Sequence, residues 1–200
     1  VGNITRTTVD NSARVVVNSG TVSLEGMGDN SGTIGIVNSG GTLILAKDSN
    51  ASIHALSSFA PFLQINSGGT MQLGGFGDDQ IYKSSGLIDD GTFDMAGHNE
   101  GFDMLNGGGL VTSSGGSSTL QLGENNGSST FDGTITDGAG NLALTKVGTG
   151  TLTLTGTNTY TGTTTVSTGE LVVATSSIGG GAYAIGDAAI LGVNVAAPNG

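Results

Sequence analysis

A short stretch of strict alternation between glycines constrains the fold of this chain more than any other feature. Residues 151–155 read Thr-Leu-Thr-Leu-Thr, and glycines stand at positions 150 and 156. Successive side chains of an extended strand point to opposite faces, so Leu152 and Leu154 share one face and the threonines share the other. In a helix the two leucines would be spread around the axis. The stretch therefore predicts a half-buried β-strand with its leucines turned toward the core.

The same combination of turn and strand recurs along the whole chain. Turn-like clusters of Asn, Ser, Asp and Gly are each followed by a short alternating strand, whose first apolar residues are Val22, Leu43, Met71, Phe93, Leu120, Leu142 and Leu171. A second strand precedes many of the turns, at residues 14–17, 34–37, 62–65, 134–136 and 164–166. The clusters are about 21 to 29 residues apart, and repeats of this length are typical of solenoids.

The content of each repeat indicates which solenoid is formed. No repeat contains a helical period, and two or three short strands between glycine-rich corners favour a β-helix. A β-propeller would need four strands in each blade of about 40 residues. We therefore predict an all-β, single-stranded, right-handed parallel β-helix of about nine coils, continuous over residues 1–200. Both rod ends would expose unpaired strand edges, so we expect a fragment of a longer rod or rods that stack.

Residues 139–174 carry a more specific pattern. Its fixed positions are Leu144, Thr145, Lys146, Gly148, Gly150, Thr151, Leu152, Leu154, Gly156, Asn158, Tyr160, Gly162, Thr164, Val166, Gly169 and Leu171. The stretch closely resembles the autotransporter-associated β-strand repeat, or passenger-associated transport repeat, of Gram-negative type V secretion. A weaker similarity extends back to about residue 128. Thr163 and Glu170 stand where glycine and threonine are usual, but neither change removes a turn glycine.

The resemblance implies a non-catalytic structural rod in a secreted or surface-exposed bacterial protein, such as a passenger stalk or an adhesin segment. It also implies export through an outer-membrane translocator barrel, and further β-helical coils of the same or an identical chain as partners. Two alternatives stay open. One is a subunit or segment of an extracellular filament built by end-to-end stacking, and the other is a glycan-degrading or glycan-binding β-helix protein.

Charge and composition exclude several other classes. Lys and Arg number 5 against 16 Asp and Glu, which gives a net charge of −11. Such a chain repels phosphate backbones, so we expect no nucleic acid partner. No apolar run reaches the roughly 18 residues of a membrane-spanning helix, so we expect no membrane insertion by this segment. Cysteine is absent, which excludes disulfides and thiolate metal sites.

One motif suggests calcium. Residues 74–82 fit the nonapeptide Gly-Gly-x-Gly-x-Asp-x-apolar-x of the RTX β-roll, and a half-copy at 101–105 follows about one coil later. Calcium needs six to eight oxygen ligands, which tandem nonapeptides supply between stacked turns. Because tandem copies are absent, the sequence favours an ordinary corner and predicts no metal site. Whether Asp79 and Asp103 bind calcium stays open.

The histidines and carboxylates give weak catalytic signals. His98 lies near Glu100 and Asp103, which is compatible with acid–base or metal chemistry, but a solvated loop is the favoured interpretation. We expect His54 to contribute only surface polarity. A glycosidase needs two carboxyls on neighbouring positions. The pairs Asp78–Asp79 and Asp89–Asp90 lie about half a coil apart in sequence, which leaves their proximity in the fold open.

Other features argue against catalysis. Lys83 is the only base near the carboxylate pairs, because Arg6 and Arg14 lie close to the start of the chain, and tryptophan is absent. We predict no catalytic residue and no cofactor. Lys146 and Tyr160 are expected to be ladder or corner elements. The glycosylation sequons at Asn3, Asn50 and Asn126 have no meaning in a bacterial protein.

Overall fold

The computed structural model describes residues 4–6, 14–26, 33–48, 53–56, 62–174, 179 and 181–194. These residues contain strands and turns but no helix, and so no helical segment fit to cross a membrane. The strands are β1 (Ile4–Arg6), β2 (Arg14–Val17), β3 (Gly20–Gly26), β4 (Ile34–Val37), β5 (Gly41–Lys47), β6 (Leu63–Ile65), β7 (Thr70–Leu73), β8 (Gly86–Asp89), β9 (Thr92–Asp94), β10 (Glu100–Phe102), β11 (Met104–Asn106), β12 (Leu110–Ser113), β13 (Ser118–Leu122), β14 (Ser129–Phe131), β15 (Thr134–Gly138), β16 (Leu142–Lys146), β17 (Thr151–Leu154), β18 (Thr164–Val166), β19 (Gly169–Ala174), β20 (Tyr183–Ile185) and β21 (Ala189–Asn194).

The strands form three faces around a common core. Face 1 is the sheet β1-β3-β5-β7-β9-β12-β15, and face 2 is the sheet β10-β13-β16-β18-β20. Face 3 consists of the sheets β2-β4-β6-β8-β11 and β14-β17-β19-β21, which an isolated bridge between Gly107 and Phe131 links. All these pairs are parallel, because each strand pairs with the strand one turn further along the chain. The predicted parallel β-helix is confirmed, with about eight turns where the sequence suggested about nine.

Alternation within each strand places the apolar side chains inside. In β17, Leu152 and Leu154 are each 1% exposed, and Thr153 between them is half-buried. Stacking then aligns such residues into interior ladders. The ladder of face 1 contains Val22, Leu43, Met71, Phe93, Val111 and Ile135. The predicted orientation of Leu152 and Leu154 is confirmed.

The predicted repeat series needs one correction. Its first four members do share the face 1 ladder, but Phe93 pairs next with Val111 rather than with Leu120. Leu120 and Leu142 lie on face 2, where Leu120 pairs with Leu144, and Leu171 pairs with Leu152 on face 3. Each face has one buried and one outward side, so strands of all three faces show the same alternation. The pattern therefore identifies strands without identifying their face.

Asparagine side chains stack where face 3 turns into face 1. The Asn38 amide nitrogen Nδ2 donates to Asn18 Oδ1, and Asn66 Nδ2 donates to Asn38 Oδ1, each over 2.6 Å. The following turns contain Gly40 and Gly68 with φ of 77° and 78°, a conformation that only glycine adopts at little cost. The Asn-Ser-Gly clusters of the sequence are therefore corners, and their side chains connect successive coils.

Candidate functional site

Three polar side chains are buried where face 1 turns into face 2. They are Lys47, at the end of β5, Gln80 and Glu100. The Lys47 amide donates to Gln80 Oε1 over 2.9 Å, and Gln80 Nε2 donates to the Lys47 carbonyl over 3.0 Å. In the next coil the Gln80 amide donates to Glu100 Oε2 over 2.7 Å. At the adjacent Ile81 an isolated bridge to Leu56 stands in place of a strand, so these side chains satisfy buried backbone groups that would otherwise lack partners.

Glu100 belongs to the interior. It pairs in register with Leu120, whose side chain is buried, and its own residue is 1% exposed. The carboxylate accepts hydrogen bonds from the amides of Gln80, Ile81 and Gly101. Burial raises the pKa of Glu100 well above its ordinary value despite these bonds, and the charge of Asp79 acts in the same direction. Glu100 is therefore a partner of interior backbone amides rather than a solvent-facing acid.

The nonapeptide turn and its half-copy lie at different corners. The Asp79 amide donates to the Asn99 carbonyl, whereas the Asp103 amide donates to the Ser85 carbonyl, where face 2 turns into face 3. Asp103 Oδ1 accepts from the Asn125 and Gly127 amides, each over 2.8 Å. Asp103 follows Asp79 by 24 residues in sequence. At the corner between faces 1 and 2, however, the residue of the next coil that stacks on Asp79 is Asn99. The structure thus does not bring Asp79 and Asp103 together.

Asp78 is held by the coil that stacks on it. Its two carboxylate oxygens accept from the backbone amide of Asn99 over 2.9 Å and from the Asn99 side chain over 3.1 Å. His98 Nδ1 lies 3.7 Å from Asp78 Oδ1. Among the described residues, no group of three or more His, Asp or Glu side chains is arranged to hold a metal ion. The oxygens of Asp78 stabilise the corner, and the absence of calcium binding stays a prediction.

The two predicted carboxylate pairs also occupy different corners. Asp78–Asp79 lies where face 1 turns into face 2, and Asp89–Asp90 lies where face 3 turns into face 1. Lys83 Nζ lies 3.8 Å from Glu124 Oε1, and both residues line a surface cleft of about 290 Å³ together with Asp79. The base that the sequence assigned to the carboxylate pairs is therefore an ion-pair partner of Glu124.

The two histidines differ from each other in burial. His98 is at the surface, with a side chain that is 20% exposed, and it contacts Asp78 rather than Glu100 or Asp103. His54 is only 4% exposed, and its ring packs edge-on against Tyr82 with 5.1 Å between centroids. The prediction of a surface role for His54 is wrong, because Tyr82 of the next coil covers it.

Asp89 interrupts an aliphatic ladder. On face 3 the ladder runs through Val17, Val37 and Ile65, and Asp89 occupies the next position at 0% exposure. Its Oδ1 accepts from the Gly91 amide over 3.1 Å, and Oδ2 is buried with no hydrogen bond. Burial raises the pKa of Asp89 to about 7. An acid inside the rod at this position is a titratable element that the sequence did not reveal.

Residues 156–163 contain no strand, and side-chain contacts hold this segment against the preceding coil. Asn158 Oδ1 accepts from the Ile135 amide over 3.0 Å, in place of a regular strand on face 1. Tyr160 is buried, and its hydroxyl lies 2.7 Å from Thr164 Oγ1, which is also buried. At Gly162 an added Cβ would lie 2.4 Å from the Leu142 carbonyl oxygen, so only glycine fits. Asn158, Tyr160 and Gly162 thus fit one coil onto the one before it.

Lys146 closes the preceding corner. It is fully buried at the end of β16, and its Nζ donates to the carbonyls of Val147 and Gly148 over 2.5 and 2.9 Å. Burial lowers the pKa of Lys146, although the charge of Asp103 acts in the opposite direction. Lys146 and Tyr160 are therefore corner and interior elements, as the sequence predicted.

Comparison with protein families identifies this same part of the chain. Residues 144–173 match the passenger-associated-transport-repeat model. The passenger-associated-transport-repeat match begins in β16 and ends in β19, so it covers slightly more than one turn of the β-helix. The resemblance read from the sequence is confirmed over these residues. No curated protein and no solved structure matches the chain.

The remaining candidates are located as follows. Arg14 is exposed on β2, and Arg6 lies in β1. Asn126 Oδ1 accepts from the Thr149 amide over 2.9 Å, so this sequon residue is a corner contact between coils. Asn3 and Asn50 lie outside the described residues.

Two carboxylates with a clear structural role were missed by the sequence analysis. Asp94 accepts from the amides of Ala96 and Ser114, from Ser114 Oγ and from Gln72 Nε2. Burial alone would raise the pKa of Asp94, but these hydrogen bonds outweigh burial and lower it. Asp137 accepts from Leu142 and Thr161 with the same result. The sequence signal for this role is an aspartate that stands at the end of a strand and close to a turn glycine.

Proposed function

We propose that this chain is a non-catalytic structural rod segment in a secreted or surface-exposed bacterial protein of the autotransporter-passenger type. The observation that carries the proposal is the position of the matched repeat within the fold. Residues 144–173 form slightly more than one turn of a continuous parallel ladder, which pairs with β13 on one side and with β20 and β21 on the other. The repeat is thus part of the rod and shares its core.

The geometry of that coil supports a role in export through an outer-membrane translocator. Each coil binds its neighbour through backbone pairing and through corner side chains such as Asn158 and Asp137. A coil that has already folded therefore presents the donors and acceptors that the next one needs. Folding can proceed from coil to coil as the chain emerges.

The last described coil supports partners that are themselves β-helical. Ile185 pairs with the buried Val166, and Val193 pairs with the buried Val173, so both hold inward positions. They are nevertheless 43% and 47% exposed, because no described strand pairs with the far edges of β20 and β21. A further coil, from the same chain or from an identical one, would cover them. An end-to-end filament is the second candidate function, and single rods at high protein concentration in electron micrographs would rule it out.

Surface display tests the main proposal. The chain is placed between a signal peptide and an outer-membrane translocator in a Gram-negative host, and protease-accessible rod on the cell surface is measured. We expect display of the parent chain and of Thr153→Asp, and a large loss with Leu152→Asp, which places a charge inside the coil. Retention of the parent chain inside the cell, or release of reducing ends from acidic polysaccharides by the purified rod, would contradict the proposal.

A further inference from the structure

Phe76 stands almost entirely in solvent. Its residue is 97% exposed, whereas Phe93, Phe102 and Phe131 are fully buried in the core. Removing an aromatic ring from water is favourable, so an exposed ring at a turn favours a partner that covers it.

The turn that carries Phe76 is fixed on both sides. The Gly74 amide donates to the Leu45 carbonyl over 2.8 Å, and the Gly77 carbonyl accepts from the buried Gln80 side chain over 3.0 Å. Gly75 has a φ of 76°, and an added Cβ would lie 2.9 Å from the Ala46 carbonyl oxygen. The backbone of the turn is therefore fixed, and the Phe76 ring projects from it into solvent. A turn that is already ordered loses little backbone entropy when its side chain binds a partner.

The surface beside the ring is acidic. A cleft of about 350 Å³ is lined by Glu25, Gly26, Ala46, Asp48, Gly75 and Phe76. Two of these side chains are carboxylates, and the described part of the lining contains no cation. The neighbouring Lys47 is buried and directs its Nζ to the Glu25 carbonyl over 2.9 Å. The cleft thus combines an exposed ring with negative charge, in a chain whose net charge is −11.

We propose that Phe76, Glu25 and Asp48 form a docking site for an arginine side chain of a partner polypeptide. A guanidinium group stacks on an aromatic face and donates to carboxylates in the same plane, which matches the groups around this cleft. Arginine suits the site better than lysine because its planar fork contacts both the ring and the carboxylates. Carboxylates beside an aromatic ring also accept hydrogen bonds from sugars, but only a cation gains in addition from two negative charges in a chain whose net charge is −11. The docking site is an activity beyond that of a structural rod.

The test uses two blocked pentapeptides, Gly-Ser-Arg-Ser-Gly and the same peptide with citrulline in place of arginine. Binding to the whole chain is followed by the NMR shifts of the Gly75 and Gly77 amides. We expect saturable shifts with the arginine peptide and binding about two- to fivefold weaker with citrulline. Phe76→Leu, which keeps an apolar side chain, and Asp48→Asn should each weaken arginine binding by a similar factor.

Asp187→Asn is the charge-matched control, because Asp187 is exposed and lies on the last described coil. It should leave the affinity for the arginine peptide unchanged. Equal binding of the two peptides, equal affinity of Phe76→Leu and the parent chain, or no shift at all would each overturn the proposal. A shift caused by a neutral oligosaccharide without one from the arginine peptide would also overturn it and would point to a sugar site.

Discussion

The buried carboxyl of Asp89 should make the stability of the rod depend on pH in the neutral range. Burial raises the pKa of Asp89 from an ordinary value of 3.8 to about 7. The folded chain therefore holds this proton more tightly than the unfolded chain. The stabilisation is complete below pH 3.8, decreases as the pH rises, and is lost above about pH 7.

The size of the effect follows from the two pKa values. A tenfold difference in proton affinity corresponds to 1.36 kcal/mol, so the full range amounts to about 4 kcal/mol. Between pH 5 and pH 8 the free energy of unfolding should fall by about 2–3 kcal/mol through Asp89 alone. Glu100 contributes with the same sign, because burial also raises its pKa. Asp94 and Asp137 have lowered pKa values, so they contribute at more acidic pH and leave this window unaffected.

Urea denaturation at pH 5, 6, 7 and 8, followed by circular dichroism, measures the dependence. Asp89→Asn is neutral throughout, so we expect it to lose the roughly 2–3 kcal/mol that Asp89 contributes and to keep the part that Glu100 contributes. Asp90→Asn is the matched control, since Asp90 is exposed and raises the pKa of Asp89 only as a secondary cause. It should reduce the slope slightly. Equal slopes for the parent chain and Asp89→Asn would refute the assignment of a buried neutral acid.

Three further predictions concern single positions. Leu152→Asp buries a charge without a partner and should cost several kcal/mol in urea denaturation, while Thr153→Asp should stay within about 1 kcal/mol; equal losses would mean that the inside–outside assignment of β17 is wrong. Tyr160→Phe removes the hydrogen bond to Thr164 and should lower the free energy of unfolding by about 1 kcal/mol, and an unchanged midpoint would show that this bond is not formed in solution. Millimolar calcium should change the melting temperature little, whereas a rise above about 10 °C that Asp79→Ala abolishes would establish a calcium site.

The strands were predictable because alternation and turn residues act locally. Leu152 and Leu154 follow from the period of an extended chain, and the corner glycines follow from the backbone conformation that a tight turn requires. The assignment of strands to faces was not predictable in the same way. Val111 and Leu120 both lie in strands with alternating side chains. Only the stacking of whole coils decides that Val111, and not Leu120, pairs with Phe93.

The candidate site residues were likewise predictable where a local pattern sets their position, and not predictable where the stacking of coils sets it. The corner roles of Lys146 and Tyr160 were predicted, since both belong to a repeat pattern whose spacing matches one coil. His54 was misjudged because its burial depends on Tyr82 in the next coil, which no local pattern reveals. The separation of Asp79 from Asp103 likewise depends on the stacking register at one corner, and a count of residues along the chain does not give that register.

The coil that contains Asp89 and Asp90 interrupts two ladders of side chains, one inside the rod and one outside it. Inside, Asp89 replaces the aliphatic side chain that would follow Ile65. Outside, Asp90 occupies the position after the asparagine stack. Its side chain lacks the amide N–H group with which Asn38 and Asn66 donate to the preceding coil, and its Oδ1 accepts from the Gly108 amide. In a one-dimensional assembly each coil is stabilised mainly by its nearest neighbours. Because two side-chain ladders are interrupted at this coil while strand pairing continues through it, we expect the cooperativity of unfolding along the rod to be lowest here.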